Sequence, residues 1–221
     1  AWLAIGCTSG PAPTAAKAPE RKPNFLLIVA DDLGYSDLGA YGGEIATPNL
    51  DRLARSGATM TQFYASPFCS PTRAMLMSVT DNHQAGFGDM AELMLPEQRG
   101  KPGYEGFLNQ RVFALPEVLK TAGYRTVMAG KWHLAKDSDT NAAGSQHSWP
   151  CQRGFERFYG ILDGFTNLHH PHRLVRDNSV VQVDEYPPGY FLTDDLTSEA
   201  ITIAPDLRCL LTLSRTQGST P

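Results

Sequence analysis

The most constraining stretch of this chain is Phe25-Leu26-Leu27-Ile28-Val29-Ala30, six apolar residues that stop abruptly at Asp31-Asp32. A continuous apolar run without polar alternation predicts a strand buried on both faces of a parallel sheet. The segments after it fit that frame. Thr47-Pro48 supplies the N-cap and first position of a helix, Leu50, Leu53 and Ala54 its apolar stripe, and Gly57 its end. Ala58 to Ala65 reads as a second strand and Pro71 to Ser78 as a second helix, with Met75, Leu76 and Met77 as apolar bulk. Leu115, Val118, Leu119 and Ala122 share one face of a third helix, with Pro116 near its start and Gly123 at its end. Tyr124 to Ala129 is a third strand, running into Gly130-Lys131-Trp132-His133. Thr80 to Asn109 is glycine-rich and loop-like. Strand–helix–strand–helix–strand order predicts an α/β fold with a mostly parallel central sheet flanked by helices.

Three chemistry-bearing segments then fall just past carboxyl ends of predicted strands, the edge where open α/β sheets place ligands. They are Asp31-Asp32, Cys69 and Lys131/His133. Adjacent carboxylates repel, and a hard cation relieves that repulsion; oxygen ligands of this kind suit calcium or magnesium. The competing reading is a turn-stabilising Asp. In Cys69-Ser70-Pro71-Thr72-Arg73, Pro71 fits the first turn of a helix, and Arg73 stands about one turn (~6 Å) beyond Cys69 on the same side. A nucleophile precursor at a helix N-terminus beside a guanidinium suits an anionic substrate, although a lone Cys is more often a buried thiol in a turn. Lys131 and His133 alternate along an extended segment, so both can face one site, to bind an anionic oxygen and protonate a leaving group. Trp132 then points into packing.

Charge and length bound the alternatives. A formal net charge of −4 gives no general attraction to nucleic acid, so any anion site is built locally. The four cysteines, Cys7, Cys69, Cys151 and Cys209, are too few and scattered for a disulfide scaffold or a C-x-x-C metal site. His169-His170-Pro171-His172 looks metal-like, but the proline and the absence of periodicity favour a surface loop. Asp194-Asp195 reads as the start of a helix rather than a second acidic metal motif.

Together these motifs resemble the sulfatase family from about Lys22 to about Ala200. Cys69-Ser70-Pro71-Thr72-Arg73-Ala74 matches its C-x-P-x-R signature. Pro23 through Gly34, Thr47 through Ala54, and Gly123 through Leu134 match in order and spacing. Asp81-Asn82-His83 and Arg153 through Gly160 are most similar to the bacterial arylsulfatase branch. The resemblance implies the alkaline-phosphatase-like fold and a specific chemistry. The signature Cys69 is oxidised by a maturase to formylglycine. One hydroxyl of its hydrate attacks sulfur; the other then loses its proton, expels sulfate and restores the aldehyde. By the same carry-over Asp31, Asp32 and the modified Cys69 ligate Ca2+, Arg73 steadies the hydrate, and Lys131 and His133 contact the sulfate and the formylglycine hydroxyl. The expected substrate is a small-molecule or carbohydrate sulfate ester. A formylglycine-dependent phosphonate or phosphate ester hydrolase is the alternative within the same superfamily.

Departures from the pattern carry expectations of their own. Val79 stands where the family usually has Gly after the nucleophile helix, which predicts a strained turn; Ala135 likewise replaces a Gly. Family members are much longer, and the part without a counterpart here carries the remaining metal ligands, a second His and a second Lys. Residues 201–221 show no core-like pattern and read as a divergent tail of a truncated or frame-shifted product. A fragment of this kind, with incomplete anion and metal binding and little activity alone, is the third functional expectation. At the other end, residues 1–21 combine an apolar run ending at Gly6-Cys7 with a Pro/Ala-rich tether. That resembles the tail of a signal peptide, with Cys7 either a lipid-anchored lipoprotein residue or part of an ordinary secretory leader. Both versions predict export, to the periplasm in a bacterium.

Overall fold

The structure, a computed structural model, describes residues 22–141, 143–203 and the strand at 209–215. Cys7 and its leader therefore lie outside the described residues. In chain order the elements are β1 (Phe25–Ala30), α1 (Pro48–Ser56), α2 (Cys69–Ser78), α3 (Leu115–Thr121), β2 (Arg125–Lys131), β3 (Arg157–Ile161), β4 (Val175–Arg176), β5 (Ser179–Val180), α4 (Leu192–Ile203) and β6 (Cys209–Arg215). Among these residues the strands form one six-stranded sheet in the order β1-β6-β2-β3-β4-β5. The pairs β1/β6, β6/β2 and β2/β3 are parallel, and the short β4 and β5 add an antiparallel edge. The expected α/β fold with a mostly parallel sheet is therefore present.

β2 shows how the sheet is covered. Its side chains alternate between faces. Val127 and Ala129 pack on Ala200 and Ile203 of α4. Met128, with Phe158 of β3, joins Ala74 and Met77 of α2 and Trp132 in the main core. Helices on both faces of β2 make the α/β/α sandwich. At the centre of β2/β3, Gly130 opposes Gly160. A Cβ on Gly160 would lie 1.9 Å from the Gly130 carbonyl oxygen, so the close pairing requires glycine there.

The long loop between α2 and α3 is pinned by a buried cation. The Arg153 side chain is fully buried. Its Nη1 donates to the Leu108 and Asn109 carbonyls at 2.6 and 3.0 Å, and its Nη2 to the Val112 carbonyl at 2.8 Å. Its Nε donates to Glu117 Oε1 at 3.0 Å, while Glu117 Oε2 accepts from the Ala114 N–H at the start of α3. The guanidinium thus exchanges water for carbonyls and a carboxylate, the condition for burying a charge.

Several sequence expectations need correction. Ala58 to Ala65 is not a strand. It has apolar and β-branched residues but no neighbouring strand among the described residues, and Met60, Phe63 and Tyr64 are exposed. β1 forms where expected, yet it lies at a sheet edge. Phe25, Leu26 and Ile28 are 44%, 53% and 52% exposed, so nothing described covers its two faces. The stripe of α1 is similarly open at Leu50 and Leu53, and Val118 of α3 is exposed. The third strand runs through Gly130 and Lys131 rather than ending at Ala129. Finally, the tail without core pattern includes the end of α4 and β6, which lies between β1 and β2. Parallel pairing on both sides is a backbone property, and side-chain pattern gave no hint of it.

Val79 bears out the expected strain. It ends α2 with φ 54 and ψ 32, and its N–H donates to the Met75 carbonyl at 2.8 Å. A β-branched residue in the left-handed region is strained, by about 1–2 kcal/mol. Val79 is also 82% exposed, so its side chain contributes little packing in return. Val79→Gly should therefore stabilise the chain by about 1 kcal/mol, measured as a raised urea midpoint with unchanged m-value. A lower midpoint would contradict this account.

Candidate active site

Three segments converge at the carboxyl edge of the sheet. β1 delivers Asp31 and Asp32 immediately after Ala30. α2 begins at Cys69, with Phe68 as N-cap, and its first turn is held by Thr72 Oγ1 donating to the Ser66 carbonyl at 2.9 Å. β2 ends in Lys131, and pairing with β3 continues beyond it: the Trp132 N–H donates to the Ile161 carbonyl at 2.9 Å and the His133 N–H to the Leu162 carbonyl at 3.1 Å. Trp132 packs away from the site, edge-on to Phe155, as expected. The Lys131–His133 segment is not simply extended, however. His133 has φ 56, and Asp32 has φ 55. Two of the non-glycine left-handed residues thus flank this site, where backbone strain commonly accompanies function.

One carboxylate oxygen ties the segments together. Asp31 Oδ2 lies 2.7 Å from Lys131 Nζ and 3.6 Å from Arg73 Nη2, with side chains only 10%, 5% and 6% exposed. Arg73 Nη1 also donates to the Lys131 carbonyl at 2.7 Å. Arg73 is thus built into the wall behind the site. A cavity of about 240 Å3 opens in front, lined by Asp31, Asp32, Cys69, Lys131, Met90 and Phe165 among others.

Position 69 has a second support. Cys69 Sγ is 3.2 Å from His133 Nδ1, and His133 Nε2 is 2.9 Å from Glu92 Oε1. Burial raises the Cys69 thiol, but the hydrogen bond and charge of His133, then the charge of Lys131, outweigh it and leave the thiol below its ordinary value. Burial lowers His133, and its hydrogen bonds to Cys69 and Glu92 outweigh that and raise it. The His133 hydrogen bond holds the Glu92 carboxyl low against burial. When His133 is protonated both ring nitrogens donate, to sulfur and to carboxylate. Gly164 closes the far side: a Cβ there would stand 2.7 Å from His133 Nε2.

All the expected site residues, Asp31, Asp32, Cys69, Arg73, Lys131 and His133, therefore meet at one edge. Glu92 and Gly164 were not foreseen. Glu92 lies in the glycine-rich stretch without periodicity, and nothing in its spacing marks it as a partner of His133. The histidine loop stays outside the site. His169 and His172 bond Tyr190 and Thr166 locally, as a surface loop would.

The donor chemistry at Asp31 and Asp32 fits a hard cation, but calcium takes about six to eight oxygens. Among the described residues no three His, Cys, Asp or Glu side chains are arranged to hold a metal ion. The two carboxylates fit one side of such a shell.

A thiol at a helix N-terminus, buried cations and paired carboxylates at the edge of an α/β sheet form an arrangement that can support nucleophilic attack on an anionic group. The chain belongs to the Sulfatase family, whose profile matches residues 23–208. It is 48% identical over 177 residues to an uncharacterised sulfatase of Schizosaccharomyces pombe, covering 79% of this chain and 30% of that protein. It is 42% identical over 153 residues to an arylsulfatase of Klebsiella aerogenes, covering 69% and 31%. The crystal structure of Ps i-CgsB superposes with a TM-score of 0.72 at 28% identity, over 91% of this chain and 46% of that one. The chain thus spans about a third of the length of these two relatives.

Cys69 and Cys151 should differ sharply in reactivity. Burial pushes the Cys151 thiol up to about 11, whereas Cys69 is held low. At neutral pH iodoacetamide should label Cys69 at least about tenfold faster than Cys151, read by peptide-resolved mass spectrometry. Glu92→Ala, by releasing His133, should narrow that gap; equal rates in the unaltered chain would remove the basis for the Cys69–His133 pairing.

Proposed function

We propose that this chain carries the nucleophile side of a formylglycine-dependent sulfatase site, acting on an organic sulfate ester with the help of calcium. The observation that supports it most is the placing of Cys69, Lys131, Asp31 and Asp32 on one cavity, with His133 Nδ1 3.2 Å from position 69. Formylglycine at position 69, once hydrated, would supply an oxygen nucleophile that a serine or thiol does not match. His133 would hold or return a proton at that oxygen, and Glu92 keeps the imidazole oriented toward it. Lys131 would bind a sulfuryl oxygen. Arg73, tied to Asp31 and the Lys131 carbonyl, keeps the ammonium in place.

Charge balance supports the calcium part. Asp31 and Asp32 cancel Arg73 and Lys131, so these four groups alone offer an anion no net attraction. Asp31 and Asp32 would hold the cation, which supplies positive charge toward the sulfuryl oxygens. The substrate class is a small-molecule or carbohydrate sulfate ester. Support for the carbohydrate end comes from Ps i-CgsB, whose structure has been solved in complex with k-i-k-neocarrahexaose.

Maturation has a physical constraint. Pro71 and Arg73, the two fixed residues of the signature after the cysteine, are buried. A maturase that reads this segment must therefore meet it before α2 docks. Co-expression with a formylglycine-generating maturase should convert Cys69 to the aldehyde, seen in the mass of the peptide containing it. Addition of the same maturase to the folded chain should leave the thiol unchanged. Unmodified Cys69 after co-expression would overturn the proposal. Among aryl esters, cleavage of a phosphonate but not a sulfate would replace the sulfate reading with a phosphonate one.

A further inference from the structure

A second cavity, of about 290 Å3, opens beside the first. It takes part in none of the chemistry above. Met90 lines the first cavity and its neighbour Ala91 the second, and the Asp137 carboxyl of the second feels the charges of Glu92 and His133. The other side of the second cavity is Lys136-Asp137-Ser138, three to five residues beyond His133. Its volume is near the lower end for small-molecule sites, which run from about 300 Å3.

The lining is polar and carries charges of both signs. Arg99 and Lys136 face this cavity, and neither side chain makes a hydrogen bond or close ion pair with another described residue. The two carboxylates present do not offset them equally. Glu105 is already committed, to Arg111 at 2.6 Å and to the Gly103 N–H at 3.0 Å. Burial first, then the charge of Glu92, raises the Asp137 carboxyl, and the charge of Arg99 works against that rise. Tyr104 adds an aromatic surface, held edge-on to His83 with ring centroids 5.5 Å apart.

The rim is prebuilt. The Tyr104 N–H donates to the Lys101 carbonyl at 2.8 Å, the Gly100 N–H to the Tyr104 carbonyl at 3.2 Å, and the Gly88 N–H to the Gly103 carbonyl at 2.6 Å. Gly100 and Gly103 take left-handed φ values of 75 and 89, which the tight path requires. A rigid hollow combining two cations, an aromatic face and hydroxyl-bonding carboxyl and Ser138 groups matches a sugar ring that bears an acidic substituent.

We propose that this second cavity is a glycan subsite, which binds the neighbouring sugar of a sulfated oligosaccharide through a sulfate or carboxylate held by Arg99 and Lys136. The proposal rests on the sulfate-ester reading of the Cys69 site and narrows its substrate class from any organic sulfate to a multiply charged oligosaccharide. A simple aryl sulfate would fill only the first cavity.

Amide NMR titration of the full chain separates the two claims. A disulfated disaccharide should shift resonances of Arg99, Tyr104 and Lys136–Ser138 together with those near Asp31 and Lys131. 4-Nitrophenyl sulfate should shift only the second group. The double variant Arg99→Ala/Lys136→Ala, at two exposed positions, should weaken the disaccharide at least about tenfold, the loss expected for one or two charge-assisted bonds, and leave the aryl sulfate unchanged. Disaccharide shifts confined to the Cys69 cavity, an unaltered affinity in the double variant, or no response at either cavity would each overturn the subsite. Disaccharide shifts at the second cavity alone, with no aryl sulfate response, would uphold the subsite and instead remove the sulfate-ester reading of Cys69.

Discussion

A single carboxylate oxygen, Asp31 Oδ2, couples segments separated by up to a hundred residues. It lies 2.7 Å from Lys131 Nζ and 3.6 Å from Arg73 Nη2, in a place almost shielded from water. Without it two buried cations would lose the carboxylate they share, and an uncompensated buried ion costs several kcal/mol. The sheet edge, the start of α2 and the end of β2 are thus held in one geometry by the same group that a metal would use. Structure and chemistry compete for Asp31, and Asp32, more exposed and in a left-handed turn, is the freer of the two carboxylates.

That coupling accounts for how site residues can be precise on a fold whose other side is open. The main core, around Trp132, Phe155, Phe158 and Phe87, sits on the β2/β3 half of the sheet. Arg153 fastens the α2–α3 loop to that same half through carbonyls of Leu108, Asn109 and Val112. Toward β1 and α1 the apolar side chains are exposed. Lys131, His133, Cys69 and Glu92 all depend on the well-packed half. Asp31 and Asp32 alone are carried by the edge strand, and the ion pair to Lys131 is what registers them with the rest.

Local, strong patterns were legible in the sequence, and patterns whose meaning depends on partners were not. The run Phe25–Ala30 forms a strand because six apolar, β-favouring residues and a charged stop agree. Its burial depends on what packs against it, so the same run sits exposed at an edge. Ala58–Ala65 has strand-like residues but no described strand beside it. β6 has a place in the sheet without a pattern to announce it. In the site, the residues with type and spacing characteristic of the chemistry, from Asp31 to His133, come together as expected. Glu92 escapes such a reading because a carboxylate in an aperiodic loop acquires its role only from the imidazole that the fold places 2.9 Å away.

The surroundings of Cys69 make sense for more than a thiol. A helix N-terminus, an imidazole at 3.2 Å whose proton affinity is raised and a nearby ammonium all stabilise negative charge at the side-chain atom of position 69. Those interactions act on charge and on a proton, not on sulfur as such. An oxygen at the same place would meet the same field and the same imidazole, held by the same contact with Glu92. The environment that lowers the thiol is therefore the one an oxygen nucleophile needs, so a change of sulfur for oxygen at position 69 alters the reacting atom while leaving its support intact.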